Sequence, residues 1–146
     1  MNYVVLDTET TGLRAYHHEI VSFCGIKIDK NLREIDRLVV KIIPSRPDRA
    51  DPEAIRINGY NSHKWNDALS PEEAAPMIAE FMRDCIPVAH NWAFDRGFVL
   101  ASLNPQTGKT SKSSEEASTP SHYRSRLLLL MVSKTTLSNR LAPSLG

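Results

Sequence analysis

The chain has 146 residues, 41% of them apolar and 24% charged, which is enough for one hydrophobic core and one domain. A formal net charge of +1, from 18 basic and 17 acidic side chains, excludes a polybasic nucleic-acid sponge and an acidic tail protein. The balance is uneven: residues 1–103 hold 12 basic and 15 acidic side chains, and residues 104–146 hold 6 and 2, with 9 of the 14 serines, 1 of the 10 aromatics and no Asp.

Tyr3-Val4-Val5-Leu6, ending in Asp7, has the pattern of a strand buried on both faces. Thr10-Thr11-Gly12 supplies turn chemistry after it. Ile20 to Ile28 predicts a second strand, with Ile20, Ser22, Cys24, Ile26 and Ile28 on one face and Val21, Phe23, Gly25 and Lys27 on the other. A turn at Asp29-Lys30-Asn31 leads to a third strand, Ile35 to Ile43, closed by Pro44. Such short links favour an antiparallel meander.

A loop is expected from Pro44 to Asp51. Asp51-Pro52-Glu53 is an N-cap followed by proline at the first helical position, opening a short helix that stops at Asn58-Gly59. Ser70-Pro71-Glu72-Glu73 repeats the signal with a capping box, and Ala74, Met77, Ile78, Phe81 and Met82 form one apolar stripe behind it. Ile86 to Ala89 predicts a short strand, and Asn91 to Leu103 a helix with Phe94, Phe98, Val99 and Leu103 inward. A strand returning after a crossover helix lies parallel to the strand it joins. The strands at 3–7 and 86–89 are the natural pair, which sets their C-terminal ends side by side.

Cys24 and Cys85 lack CxxC spacing and are expected as buried thiols of a reducing compartment. The first residues have no basic stretch and reach an acid at Asp7, so no signal peptide is expected. The longest apolar run, Leu127–Val132, falls far short of the roughly 18 residues of a membrane span. A cytoplasmic protein without a membrane partner is the expectation.

Chemistry concentrates at the two adjacent strand ends. In an extended segment Asp7 and Glu9 project from one face and Thr8 from the other. Paired carboxylates repel unless a cation neutralises them, and hard oxygen donors suit Mg²⁺ or Mn²⁺; alternatively, the pair is a solvated acidic strand end. Asp95, on the first turns of the last helix, is expected to face back beside Asp7 and complete a three-carboxylate cluster. Taken alone, Asp95 also reads as an acid complementing a helix dipole.

These segments carry a resemblance. Asp7-Thr8-Glu9-Thr10-Thr11-Gly12-Leu13 resembles the first motif of the DnaQ-like (DEDD) 3′–5′ exonucleases, and His90-Asn91-x-x-Phe94-Asp95 resembles the second. Pro52 to Gly59 is similar to the short helix between them in proofreading subunits of bacterial replicative polymerases. The resemblance covers about residues 1–103. It implies an RNase H-like α/β fold, with an antiparallel three-strand meander plus a parallel strand flanked by helices, and residues 104–146 as a divergent or disordered tail. It also implies two Mg²⁺ or Mn²⁺ ions, with Asp7 bridging both, Glu9 binding one and orienting water, and Asp95 holding the other. Thr8, Thr10, Gly12 and Leu13 would receive the terminal nucleotide, Leu13 wedging against its base, and Asn91 and Phe94 would line the pocket. His90 is either part of this site or a packed strand-end histidine; Trp65 and Trp92 either stack on bases or pack. The implied partners are the 3′ end of single-stranded nucleic acid, DNA rather than RNA, and a DNA polymerase subunit.

The family pattern then fails. Active members carry a late Asp, preceded five residues earlier by His or four earlier by Tyr as general base. No Asp follows Asp95 here; His122 and Tyr123 both point to position 127, which is Leu127. Two readings of the tail remain, a shifted reading frame or natural divergence. A catalytically inactive nucleic-acid-binding or polymerase-associated module is the competing function.

Overall fold

The computed structural model describes residues 1–63 and 65–103. Four strands form one mixed sheet: β1 (Asn2–Thr10), β2 (Ile20–Ile28), β3 (Glu34–Lys41) and β4 (Cys85–Val88), in the order β3-β2-β1-β4. β1 pairs antiparallel with β2, β2 antiparallel with β3, and β1 parallel with β4. The meander and the parallel return are those anticipated from the link lengths and the crossover.

The helices are α1 (Pro52–Asn58), α2 (Pro71–Met82) and α3 (Trp92–Leu103). Asp51 caps α1 by accepting from the Glu53 N–H, and Gly59 ends it in the left-handed conformation at φ 68°. Ser70 and Glu73 form the capping box of α2. The core lies between the sheet and the last two helices: Val4, Leu6, Phe23 and Val40 meet Ala74, Ile78, Phe81, Met82, Phe98 and Val99. Gly25 permits the close seat of α2, because a Cβ there would stand 2.8 Å from the Phe81 ring.

Three expectations are corrected. β1 is buried on one face only, alternating between buried Val4, Leu6, Thr8 and Thr10 and exposed Val5, Asp7 and Glu9. The core-forming helical residues belong to α2 and α3, which cover the even-numbered face of β1. The opposite face leaves Val5, Val39 and Val88 41%, 60% and 43% exposed. The third strand ends at Lys41 rather than Ile43; Ile42 instead makes an isolated bridge to Leu69. The loop before α1 contains a single 3₁₀ turn, Pro47–Arg49. The tail expectations, from residue 104 to residue 146, lie outside the described residues.

Candidate active site

β1 delivers two carboxylates, Asp7 and Glu9, to its open face, where both are exposed. Opposite Glu9 the register with β2 shifts: Glu9 pairs with Ser22 and Thr10 with Ile20, so Val21 is the extra residue of a bulge. Bulges locally increase twist and re-aim side chains. The shift stands at the end of the acidic motif.

Asp95 arrives from the other segment. The Asn91 carbonyl accepts from the N–H groups of Phe94 and Asp95, starting α3 and fixing Asp95 in its first turn. The residue is 3% exposed, and the Thr8 hydroxyl donates to its Oδ1 at 2.8 Å. β4 ends at Val88, opposite Val5, so the β1 edge beyond is free of β4, and the Thr8 N–H also supports the Asp95 carboxylate. Burial pushes the Asp95 carboxyl above its ordinary value; the Thr8 hydroxyl pulls it down and the Asp7 charge pushes it up again. Burial and then Asp7 raise the Glu9 carboxyl in the same direction. Asp7 is thus the one charge that both other acids sense.

The compact three-carboxylate cluster is not closed. Among the described residues no group of three or more His, Cys, Asp or Glu side chains is arranged to hold a metal ion. The physical reason is Thr8: it draws Asp95 toward the buried face of β1, while Asp7 and Glu9 project from the open one. The donor chemistry still fits a divalent cation. The three side chains offer only hard oxygen, and two of them are held in a state of raised proton affinity partly by a neighbouring negative charge that a cation would offset.

The loop after β1 is heavily tied. Thr10 Oγ1 donates to the Gly12 carbonyl at 2.7 Å, Asn58 Nδ2 to the Thr10 carbonyl at 2.8 Å, and the Asp51 N–H to the Thr11 carbonyl at 2.7 Å. Both ends of α1 therefore grip the first motif. Thr11 exchanges two further bonds with the Glu19 backbone, its N–H donating to the carbonyl and its Oγ1 accepting from the N–H. His18, 8% exposed, accepts from the Arg14 N–H through Nδ1, and its ring lies so close that a Cβ on Gly12 would stand 2.5 Å from Nε2.

Of the anticipated nucleotide-contacting residues, Thr8, Thr10 and Gly12 lie buried beneath the site as supports, while Leu13 is 78% exposed at its rim. Asn91 is exposed and Phe94 half-buried, its ring 4.8 Å from that of Phe98. His90 is exposed, which removes its packed reading. Trp92 packs on the core, and Trp65 stands edge-on to Tyr60 at 5.0 Å. Sequence reasoning missed His18, Glu19 and Asn58. Asn58-Gly59 was legible as a helix stop, but no local pattern reveals that the Asn58 amide holds the Thr10 carbonyl.

The class of protein follows from this arrangement. The fold matches Exonuclease I of Methylocaldum szegediense with a TM-score of 0.62 and 23% identity, over 70% of this chain and 23% of that one. It matches E. coli Exonuclease I in complex with a dA16 oligonucleotide at 0.65 and 17%, over 74% and 26%. At these identities the likeness establishes the fold alone. The chain belongs to the exonuclease family: the family model described as Exonuclease matches residues 4–135. It is 35% identical over 97 residues to the PolC-type DNA polymerase III of Bacillus cereus, covering 66% of this chain and 7% of the relative. The corresponding Bacillus subtilis protein is also 35% identical, with 6% of it covered. The chain thus spans a small fraction of the length of these curated relatives. Among the described residues no helix is long and apolar enough to cross a membrane.

Proposed function

We propose that the chain works as a metal-dependent 3′–5′ exonuclease domain on single-stranded DNA, in the cytoplasm beside a replicative DNA polymerase. Residues 1–103 form its working part and 104–146 a divergent tail. The observation that carries the reading is geometric: β1, bearing Asp7 and Glu9, lies parallel to and beside β4, and the Thr8 hydroxyl of β1 bonds Asp95 from the segment that follows β4. A polymerase III relative and an exonuclease relative crystallised with an oligonucleotide support the choice of substrate and partner.

In this reading Asp7 and Glu9 hold Mg²⁺ or Mn²⁺ from the open face of β1, and Asp95 contributes from α3. Bound metal supplies charge stabilisation on the attacking and leaving oxygens of the phosphodiester. Thr8 offsets part of the burial-driven rise in the Asp95 carboxyl and orients it. Glu9 accepts a hydrogen bond from the attacking water and aligns it. Leu13 abuts the terminal base, Asn91 and Phe94 border the pocket, and the Thr10–Gly12 bonds keep the loop from collapsing into it.

Degradation of 3′-labelled single-stranded DNA with Mn²⁺ tests the reading. The wild-type chain is expected to shorten the strand and Asp7→Ala to leave it intact. A second reading, binding without turnover, rests on the lack of any Asp after Asp95. Equal, background-level cleavage by both proteins, with retained oligonucleotide binding, would establish that one instead.

A further inference from the structure

Residues 1–103 are acidic as a whole, yet a cluster of cations gathers at one rim of the site. Residues 14–18 form a tight turn in which the His17 and His18 N–H groups both donate to the Arg14 carbonyl, and Tyr16 takes φ 68°. The 3₁₀ turn then sets Arg49 three residues from Arg46, with the Arg49 N–H donating to the Arg46 carbonyl. Arg46 joins the two turns: its Nη1 donates to the Tyr16 carbonyl at 3.4 Å, and its Nε stands 3.6 Å from Glu19. The His17 imidazole registers the result. Loss of water lowers its proton affinity first, and the charges of Arg14, His18, Arg49 and Arg46 lower it further.

Arg46 is neutralised by Glu19, and Asp48 is the remaining acid of the 3₁₀ turn. Arg14 and Arg49 are exposed and make no ion pair or side-chain hydrogen bond among the described residues. Arg14 and Arg49, on the two turns that Arg46 links, both bear on His17, and neither has a carboxylate partner among the described residues; an anion bound at such cations is stabilised by them. The position narrows the anion. The Asp51 N–H ties this segment to the Thr11 carbonyl, and Arg14 follows exposed Leu13 directly. Arg14 lies five positions after Glu9, so the chain places their Cα atoms at most about 18 Å apart.

We propose that Arg14 and Arg49, braced by Arg46, cradle the phosphodiester backbone of the strand whose 3′ end lies at Asp7, a role that rests on the exonuclease reading above. The cradle takes phosphates upstream of the terminal nucleotide. It makes affinity depend on strand length without reading bases, since phosphate contacts position a strand and carry no sequence information. It also reconciles an acidic domain with a polyanionic substrate, by setting unpaired positive charge along the path of the strand.

The test is the binding of fluorescein-labelled dT10 to the full chain in EDTA, by anisotropy across a salt series. The double variant Arg14→Gln/Arg49→Gln is expected to bind about 10-fold more weakly at low salt, and its slope of log Kd against log salt is expected to fall by about 1.4, the single-strand value for two lost phosphate contacts. Lys30→Gln, on the β2–β3 turn, serves as the distant control and is expected to bind like the wild type. A double variant with wild-type affinity and slope would overturn the cradle. So would a ten-residue glutamate peptide binding as tightly as dT10 with the same arginine dependence, because the surface would then fit an acidic protein segment. Cleavage of the same strand in Mn²⁺ is read separately: no cleavage by the wild type, with the arginine effect intact, counts against the exonuclease reading and for the cradle.

Discussion

Along β1, Val4, Leu6, Thr8 and Thr10 lie buried against the helical layer, while Asp7 and Glu9 stand exposed on the other face of the same nine-residue strand. The buried face is internally consistent: its apolar members pack on α2 and α3, Thr8 bonds Asp95, and Thr10 bonds the Gly12 carbonyl. The open face is not. It sets Asp7 beside Glu9, whose carboxyl is raised by burial and then by the Asp7 charge. Period-two alternation thus lets one strand carry stability and chemistry at neighbouring positions without either displacing the other.

Mutations can sharpen that division. The largest effect is expected for Asp7→Ala, which should reduce Mn²⁺-dependent cleavage to background and remove the metal-induced rise in melting temperature, with the metal-free melting temperature unchanged or raised. An unchanged metal response, followed by thermal shift, would break the comparison at its open face. On the buried face, Phe23 is fully buried, and Phe23→Ala should cost about 3–5 kcal/mol in urea unfolding. Thr8→Val sits between the two regimes. It leaves the buried Asp95 carboxyl short of a donor, for about 1–3 kcal/mol of destabilisation, and raises the acid limb of the pH–activity profile.

The smallest effect concerns pH. Asp95 and Glu9 hold their protons more tightly folded than at their ordinary values of 3.8 and 4.5. Their contribution to stability is therefore fully present below those values and is lost as pH rises through the higher folded ones. Glu9→Gln should make the metal-free chain relatively more stable at pH 7 than at pH 3.5, by under about 0.5 kcal/mol. Paired denaturation curves at the two pH values measure it, and an effect of opposite sign would mean that Glu9 is stabilised in its charged form.

Much of the fold was legible. The bounds of Ile20–Ile28 matched β2 as observed, though the bulge at Val21 turns Ile20 into the core rather than onto the Ser22/Cys24 face; the Asp51 and Ser70 caps marked α1 and α2 because capping chemistry is local. The two-sided burial of β1 misled because an apolar run, Tyr3 to Leu6, does not report which faces another layer will cover. At the candidate site, the parallel pairing that sets the two segments side by side was legible. The Thr8–Asp95 bond, which joins residues 87 apart, and the His18 ring beneath Gly12 were not. Such supports are set by tertiary approach, which periodicity and spacing do not encode.

The Thr8–Asp95 bond has a consequence for how the chain folds. Asp7 and Glu9 are neighbours from synthesis, but Asp95 reaches Thr8 only after β4 has aligned parallel to β1 across more than seventy intervening residues. Closing so long a loop costs entropy that local contacts do not recover, and such pairings form late. On the metal-dependent reading proposed above, a partly folded chain would present two acids and no third and would bind divalent ions poorly, so ion binding would report correct folding.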